Sequence, residues 1–328
     1  MEILELLKEL TAAHGPSGDE GEIRETIARL ARPFAGEVTA DTLGNLIVHK
    51  AGHGPRVMFA AHMDSIGFIV THIEPEGFLR VGKLGGVAPK EAAYTPVRFK
   101  NGVRGVFVPE EKADFGNLKL DQCFIDIGAE SAEEAKKLVQ VGDTAVYDVP
   151  FRVQGDRVTG PYLDDRIACA VLLCALERIK QPACDLYMVF TVQEEVGLRG
   201  AKTAAWQVDP ETGIAVDVTD VDDTPGSEKY GTARLGKGAA VKVMDSSLVC
   251  HRAVVSRLEE LARTESLAVQ RDIMRGGGTD AGAIHTTRLG VKTGGISIPC
   301  RYIHTPAETA SLADAEACIR LAVAFAQQ

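Results

Sequence analysis

The chain has 328 residues, 45% hydrophobic and 25% charged, which is ordinary globular composition and length enough for one large core or two domains. Asp and Glu outnumber Lys and Arg by 46 to 36, giving a formal net charge of -10 with no basic run, so neither nucleic acid nor an anionic membrane is expected as a partner. No apolar stretch approaches the ~20 residues that span a bilayer. The first residues lack a cationic leader, and the seven cysteines lack Cys-x-x-Cys spacing, so a reducing cytoplasm is the expected location.

The chain opens with two helices on either side of the breaker His14-Gly15-Pro16-Ser17-Gly18: Ile3, Leu6, Leu7 and Leu10 share one helical face, and Ile23, Ile27 and Leu30 another. Strands follow at 36–40, 46–50 and 57–61, the last leading into His62. From about residue 66 to 155 the character changes. Residues 66–73 and 78–81 alternate about a Pro-Glu-Gly turn, and 97–100 and 103–108 flank Asn101-Gly102, a hairpin signal. One helix is expected there, 132–138, with Ser131 and Glu134 in capping-box spacing. An α/β pattern then resumes with a helix over 164–179, strands at 186–192, 214–218 and 293–298, and a C-terminal helix over 308–327.

Five segments carry ionisable residues at or just beyond such strands and helix starts: Ala60-Ala61-His62-Met63-Asp64, Tyr162-Leu163-Asp164-Asp165-Arg166, Gln193-Glu194-Glu195-Val196-Gly197, Ala215-Val216-Asp217-Val218-Thr219 and Cys300-Arg301-Tyr302-Ile303-His304. Open α/β sheets bind ligands beyond the carboxyl ends of their strands, so these side chains converge on one crevice. Asp164 and Asp165 have a bland reading as a helix cap with first-turn acids, and Arg166 is expected to pair with Asp165. Glu194-Glu195 is sharper, because adjacent acids after an apolar strand repel unless cations neutralise them. Asp217, inside an apolar strand, must be paired or coordinating. Asp64 can orient His62 through the imidazole's second nitrogen. Two histidines and several carboxylates suit two divalent ions, zinc or cobalt. Gly276-Gly277-Gly278-Thr279-Asp280 lacks the lysine of a P-loop, there is no Gly-x-Ser-x-Gly elbow, and adjacent glutamates cannot flank a glycosidic bond at ~5–9 Å.

The blocks Ala-His-Met-Asp-Ser-Ile-Gly, Leu-Asp-Asp-Arg, Gln-Glu-Glu-Val-Gly-Leu-Arg-Gly-Ala, Ala-Val-Asp-Val-Thr, Gly-Gly-Thr-Asp-Ala-Gly-Ala-Ile and Arg-Tyr-Ile-His-Thr-Pro-Ala-Glu occur in this order along nearly the whole chain. Together they resemble the dinuclear-metal aminopeptidases of the glutamyl and tetrahedral (TET) aminopeptidase type, some of which carry the names endoglucanase or deblocking aminopeptidase. The resemblance implies a three-layer α/β/α metallopeptidase domain, residues 1–65 plus 156–328, with an inserted β-barrel-like dimerisation domain, 66–155. It makes His62 and Asp217 ligands of one metal, Glu195 and His304 ligands of the other, and Asp164, the first acid of its pair, the bridge. It makes Glu194 the general base, with Asp64 supporting His62, and sets Thr279 and Asp280 on the substrate side. The implied activity is removal of N-terminal residues from short peptides by a cytoplasmic homo-oligomer of dimers, up to a dodecamer. The insert's Phe68, Phe78, Tyr94, Phe99 and Phe107 are expected to be incompletely buried, and its hairpin edges to need a second subunit. Two rival readings share these residues: a dinuclear N-acyl-amino-acid deacylase, and a non-catalytic assembly protein that would purify without metal.

Overall fold

Four parallel strands, Asp185–Thr191, Arg56–His62, Thr212–Asp220 and Lys292–Arg301, form the centre of the protein. The computed structural model describes residues 1–227 and 231–328. The central strands are buried on both faces, which is why they read as unbroken apolar runs rather than as alternating ones. Successive side chains still point to opposite faces. Val57, Phe59 and Ala61 enter a core built with helices Ile3–Ala12, Gly21–Ala31, Leu163–Arg178, Arg252–Thr264 and Leu312–Gln327, while Met58 and Ala60 meet Arg199–Val208 and Ala281–Ile284 on the other side. The result is a three-layer α/β/α domain.

Antiparallel strands extend the sheet at both edges. Glu37–Ala40 and Leu46–Lys50 continue it beyond Asp185–Thr191; Glu308–Ser311, Arg157–Gly160 and Arg152–Gln154 continue it beyond Lys292–Arg301. Ala239–Met244 and Val269–Ile273 pair off the main path, the former against Lys292–Arg301.

Strands Gly67–Ile73, Leu79–Leu84, Thr95–Phe99, Arg104–Pro109, Cys123–Asp126 and Thr144–Tyr147 close into a barrel. Closure corrects one expectation. A closed sheet has no open edge, so the hairpins need no second subunit to cover them. Phe68, Phe99 and Phe107 fill the interior, with Phe68 stacked on Phe107 at 4.7 Å, whereas Tyr94 is 65% exposed. Helix Ala132–Leu138 is capped by Ser131, whose Oγ accepts from the Glu134 amide, and a further short helix, Pro89–Ala92, stands beside the barrel. Strand Arg152–Gln154 pairs with Arg157–Gly160 in the large sheet, although it lies inside the segment 66–155.

Other differences lie at helix starts. Asp164 and Asp165 fall within Leu163–Arg178 but have non-helical dihedrals, φ -77 and ψ 105 at Asp164 and φ -119 and ψ 33 at Asp165. Arg166 does not pair with Asp165. Its fully buried guanidinium donates to the carbonyls of Leu10 and Gly15, holding the N-terminal segment. The last helix begins at Leu312 and not at Glu308, because Ser311 caps it through the Asp314 amide while Glu308–Ser311 is drawn into the sheet.

Candidate metal centre

The carboxyl ends of the four parallel strands deliver the expected side chains to one place. His62 is the last residue of its strand, Glu194 and Glu195 follow Asp185–Thr191 within four residues, Asp217 lies inside Thr212–Asp220, and His304 comes three residues after Lys292–Arg301. Asp164 stands between the two imidazoles. Its Oδ1 is 2.9 Å from His62 Nε2 and its Oδ2 is 3.2 Å from His304 Nε2. His304 Nε2 also lies 3.1 Å from Glu195 Oε2, and Asp217 Oδ1 is 4.0 Å from His62 Nε2.

Buried carboxylates this close repel one another. Burial raises Asp217 and Glu194 well above the usual carboxylate range; the His62 charge opposes this, while Asp164 and Asp280 push Asp217 up and Asp217, Asp280 and Glu195 push Glu194 up. Burial likewise raises Glu195 against its hydrogen bond with His304. Asp164 moves the other way: burial opposes its charge, but hydrogen bonds with His304 and His62 hold it low. The imidazoles mirror this. Burial disfavours the charged ring of His304, yet Asp164 and Glu195 raise it to about 11, and Asp164, Asp64 and Glu194 raise His62.

Donor atoms of His62, Asp164 and Glu195 lie within 4.8 Å of one another, as do those of His62, Asp165 and Asp217. Asp165 Oδ1 and Glu195 Oε1 are buried with no hydrogen-bond partner. Unpaired carboxylate oxygens in a buried cluster with imidazoles are the donors that divalent cations satisfy, so the residues fit a metal centre. Asp165 was not expected to take part. Its Oδ2 accepts from the His62 amide at 3.2 Å, its Oδ1 is buried without a partner, and one of its oxygens lies near His62 and Asp217.

The sequence reading missed one support and part of the role of another, Asp64. Glu308 accepts from the Asp164 amide through Oε2 and from the His304 amide through Oε1, both at 2.9 Å, so one buried carboxyl fixes two of the cluster's backbones. Its only sequence signal is an acid four residues after His304, which reads equally well as a helix start. Asp64 meets His62 Nδ1 mainly through its own carbonyl, at 3.1 Å; its carboxylate, 3.6 Å from the ring, accepts from the Glu194 amide at 2.9 Å and the Glu195 amide at 3.3 Å. Thr279 and Asp280 are buried behind the centre. Thr279 donates to Asp245, and Asp280, which burial pushes up to about 6, accepts from Thr191.

Asp164, Asp217 and His304 line a cavity of about 1120 Å³, whose walls include Val218, Asp220, Ile273, Met274, Tyr302 and Pro306. The barrel reaches this centre through Gly85 and Gly86. A Cβ on Gly86 would stand 2.3 Å from His304 Nδ1, and one on Gly85, at φ +74, would stand 3.0 Å from Glu195 Oε2.

A family model described as M42 glutamyl aminopeptidase matches residues 44–321, and a second, AMPT, matches residues 2–25. The chain belongs to the M42 glutamyl aminopeptidase family. It is 47% identical over 323 residues to a protein of Acetivibrio thermocellus, covering 98% of each chain. It is 37% identical over 338 residues to the lysyl aminopeptidase of Pyrococcus furiosus, covering 99% of this chain and 96% of that one. The solved TET1 peptidase of Pyrococcus horikoshii, described as assembling into a tetrahedron or a large octahedral shell, superimposes with a TM-score of 0.91 at 34% identity over the whole of both chains. M42 membership makes the protein a hydrolase of peptide bonds, an aminopeptidase. Among the described residues no helix is long and apolar enough to cross a membrane.

Gly86→Ala should therefore displace the His304 ring, since a contact of 2.3 Å cannot be kept. The variant is expected to keep wild-type circular dichroism and to lose at least tenfold in hydrolysis of aminoacyl-p-nitroanilides, about the scale of a misplaced catalytic group. Wild-type rates would show that the barrel loop does not constrain His304.

Proposed function

We propose that the protein is a dinuclear metalloaminopeptidase that removes N-terminal residues from short peptides, with Glu194 as general base. The observation that carries this reading is Asp164: its two oxygens face two different imidazoles, at 2.9 and 3.2 Å, the disposition that a carboxylate shared by two cations requires. In this reading His62 and Asp217 would hold one ion and Glu195 and His304 the other, with Asp164 available to both. The chemistry that two divalent ions, Zn²⁺ or Co²⁺, supply when bound in such a site is Lewis acidity, which acidifies water and polarises a carbonyl.

The rest falls to the chain. Glu194 takes a proton from the attacking water and returns it to the leaving amine. Burial and its acidic neighbours raise its carboxyl, which moves it towards the working pH of a base. Its backbone is anchored on Asp64, so the carboxylate approaches from a fixed direction. The acidic floor of the cavity suits a peptide's protonated α-amine, which makes the activity exopeptidic, and Thr279 and Asp280 support the substrate side from behind. Residues 1–65 and 156–328 form the catalytic domain, to whose sheet strand Arg152–Gln154 also belongs. The insert, 66–155, is the dimerisation domain of a cytoplasmic homo-oligomer. Support for that role comes from the exposed Tyr94, Phe115 and Val141 on the insert and from the likeness to the shell-forming TET1 peptidase.

Glu194→Gln should keep its metal and lose about 10²–10⁴-fold in turnover, because the amide cannot accept the proton. Metal analysis beside kinetics on aminoacyl-p-nitroanilides decides it; near-normal rates would remove Glu194 from the base role. N-acetylated peptides in the same panel should be inert, and their cleavage would point to a deacylase.

Metal uptake should also release protons. His304, raised to about 11, carries a proton at neutral pH in the metal-free protein and must lose it to ligate. Apparent affinity therefore falls as pH falls. A titration with Zn²⁺ in weak buffer with an indicator dye should acidify, and uptake without acidification would contradict imidazole ligation. Light scattering that found a monomer at micromolar concentration would exclude the oligomer.

A further inference from the structure

The carbonyls of the turn that carries Glu194 and Glu195 are taken by amides of residues 197–200, but its own amides are held from outside. Four consecutive backbone amides donate to side-chain oxygens: Val192 to Asn45 Oδ1 at 3.0 Å, Gln193 to Glu20 Oε1 at 3.2 Å, Glu194 to Asp64 Oδ1 at 2.9 Å and Glu195 to Asp64 Oδ2 at 3.3 Å. Gln193 sits at φ +54, a left-handed conformation that is unfavourable for a non-glycine residue and persists only where neighbours over-determine it.

Two of these acceptors belong to one device. Glu20 is 7% exposed and takes the Gly18 amide on the same Oε1, at 2.7 Å. Ser17, three residues earlier, donates its hydroxyl to Asp64 Oδ2 at 2.6 Å. The segment they share is pinned on three sides. Its Ser17 amide and Gly15 carbonyl pair with Ser65, Arg166 donates to Gly15, and His14 Nε2 lies 2.8 Å from Thr144 Oγ1 on the barrel. A carboxylate buried beside the acidic centre is unfavourable for stability: burial and the charge of Asp64 both raise Glu20 against its amide donors. An apolar side chain would fill the space without that cost, so the amide contact is what Glu20 contributes.

We infer that Glu20, assisted by Ser17, is a positioning residue that sets the turn 193–195 and thereby aims the Glu194 carboxylate at the substrate. The inference rests on the aminopeptidase reading above, in which Glu194 is the base. Glu20 touches neither ligand atoms nor substrate; it acts through the Gln193 amide.

The test is a set of three variants of the full-length protein, assayed at saturating Zn²⁺ on aminoacyl-p-nitroanilides well below each melting temperature. Glu20→Ala should lower kcat by about 10- to 100-fold with KM within about twofold, since displacement of a base costs turnover and not ground-state binding. Glu20→Gln keeps an amide acceptor at the same place and should stay within about threefold of wild type. Ser17→Ala removes a hydroxyl donor without leaving a backbone amide unpaired, and covers the case in which Glu20→Ala fails to fold; it should lower kcat at least about threefold. Wild-type kcat in Glu20→Ala or Ser17→Ala, or a Glu20→Gln variant as impaired as the alanine one, would overturn the inference. If the wild-type protein releases no N-terminal residue, the aminopeptidase reading fails instead. The clamp is then still tested by hydrogen exchange, which should speed up at the Gln193 and Glu194 amides in Glu20→Ala and not in Glu20→Gln; unchanged exchange would overturn it.

Discussion

Confinement of like charge governs this structure. Asp64, Asp164, Asp165, Glu194, Glu195 and Asp217 crowd around His62 and His304 beyond the ends of parallel strands, mostly out of contact with water. An isolated ionised carboxylate in such surroundings is strongly unfavourable. The protein offsets part of this with backbone amides: Asp64 takes two, Glu308 takes two and Asp165 takes one. The remainder appears as raised carboxyl groups, raised imidazoles and oxygens with no partner. Cations relieve all three at once, which is why the same arrangement that strains the metal-free protein selects a metal-loaded one.

The two domains meet at this centre. The barrel supplies no ligand atom, yet Gly85 and Gly86 lie against Glu195 and His304, and Thr144 on the barrel holds His14 of the N-terminal segment. Excising the barrel would therefore uncover Glu195 and His304.

Much of this was legible in the sequence because parallel strands buried on both faces announce themselves as apolar runs, and the residues that leave their carboxyl ends have one direction to go. His62, Glu194, Glu195 and Asp217 follow from that rule alone. Supports that act through backbone amides leave no such pattern. Glu308 lies in a four-residue strand, Glu-Thr-Ala-Ser, too short for period-two alternation and adjacent to a strongly helical stretch. Ser17 sits in the Gly-Pro breaker, which reads as a plain loop, and Glu20 lies two residues beyond it; their partners are far away in sequence. The barrel itself was implied by the family resemblance, but its closure left no local pattern, for a related reason. Hairpin signals are local, whereas the pairing of Gly67–Ile73 with Thr144–Tyr147 that shuts the barrel is not.

The central claim is that one buried cluster holds two cations and is inactive without them. Calorimetric titration of metal-stripped protein with Zn²⁺, with peptide hydrolysis followed in the same samples, tests it most directly. The account predicts two ions per chain and activity that appears only as they bind. Saturation at one ion per chain, or full turnover in the stripped protein, would contradict it.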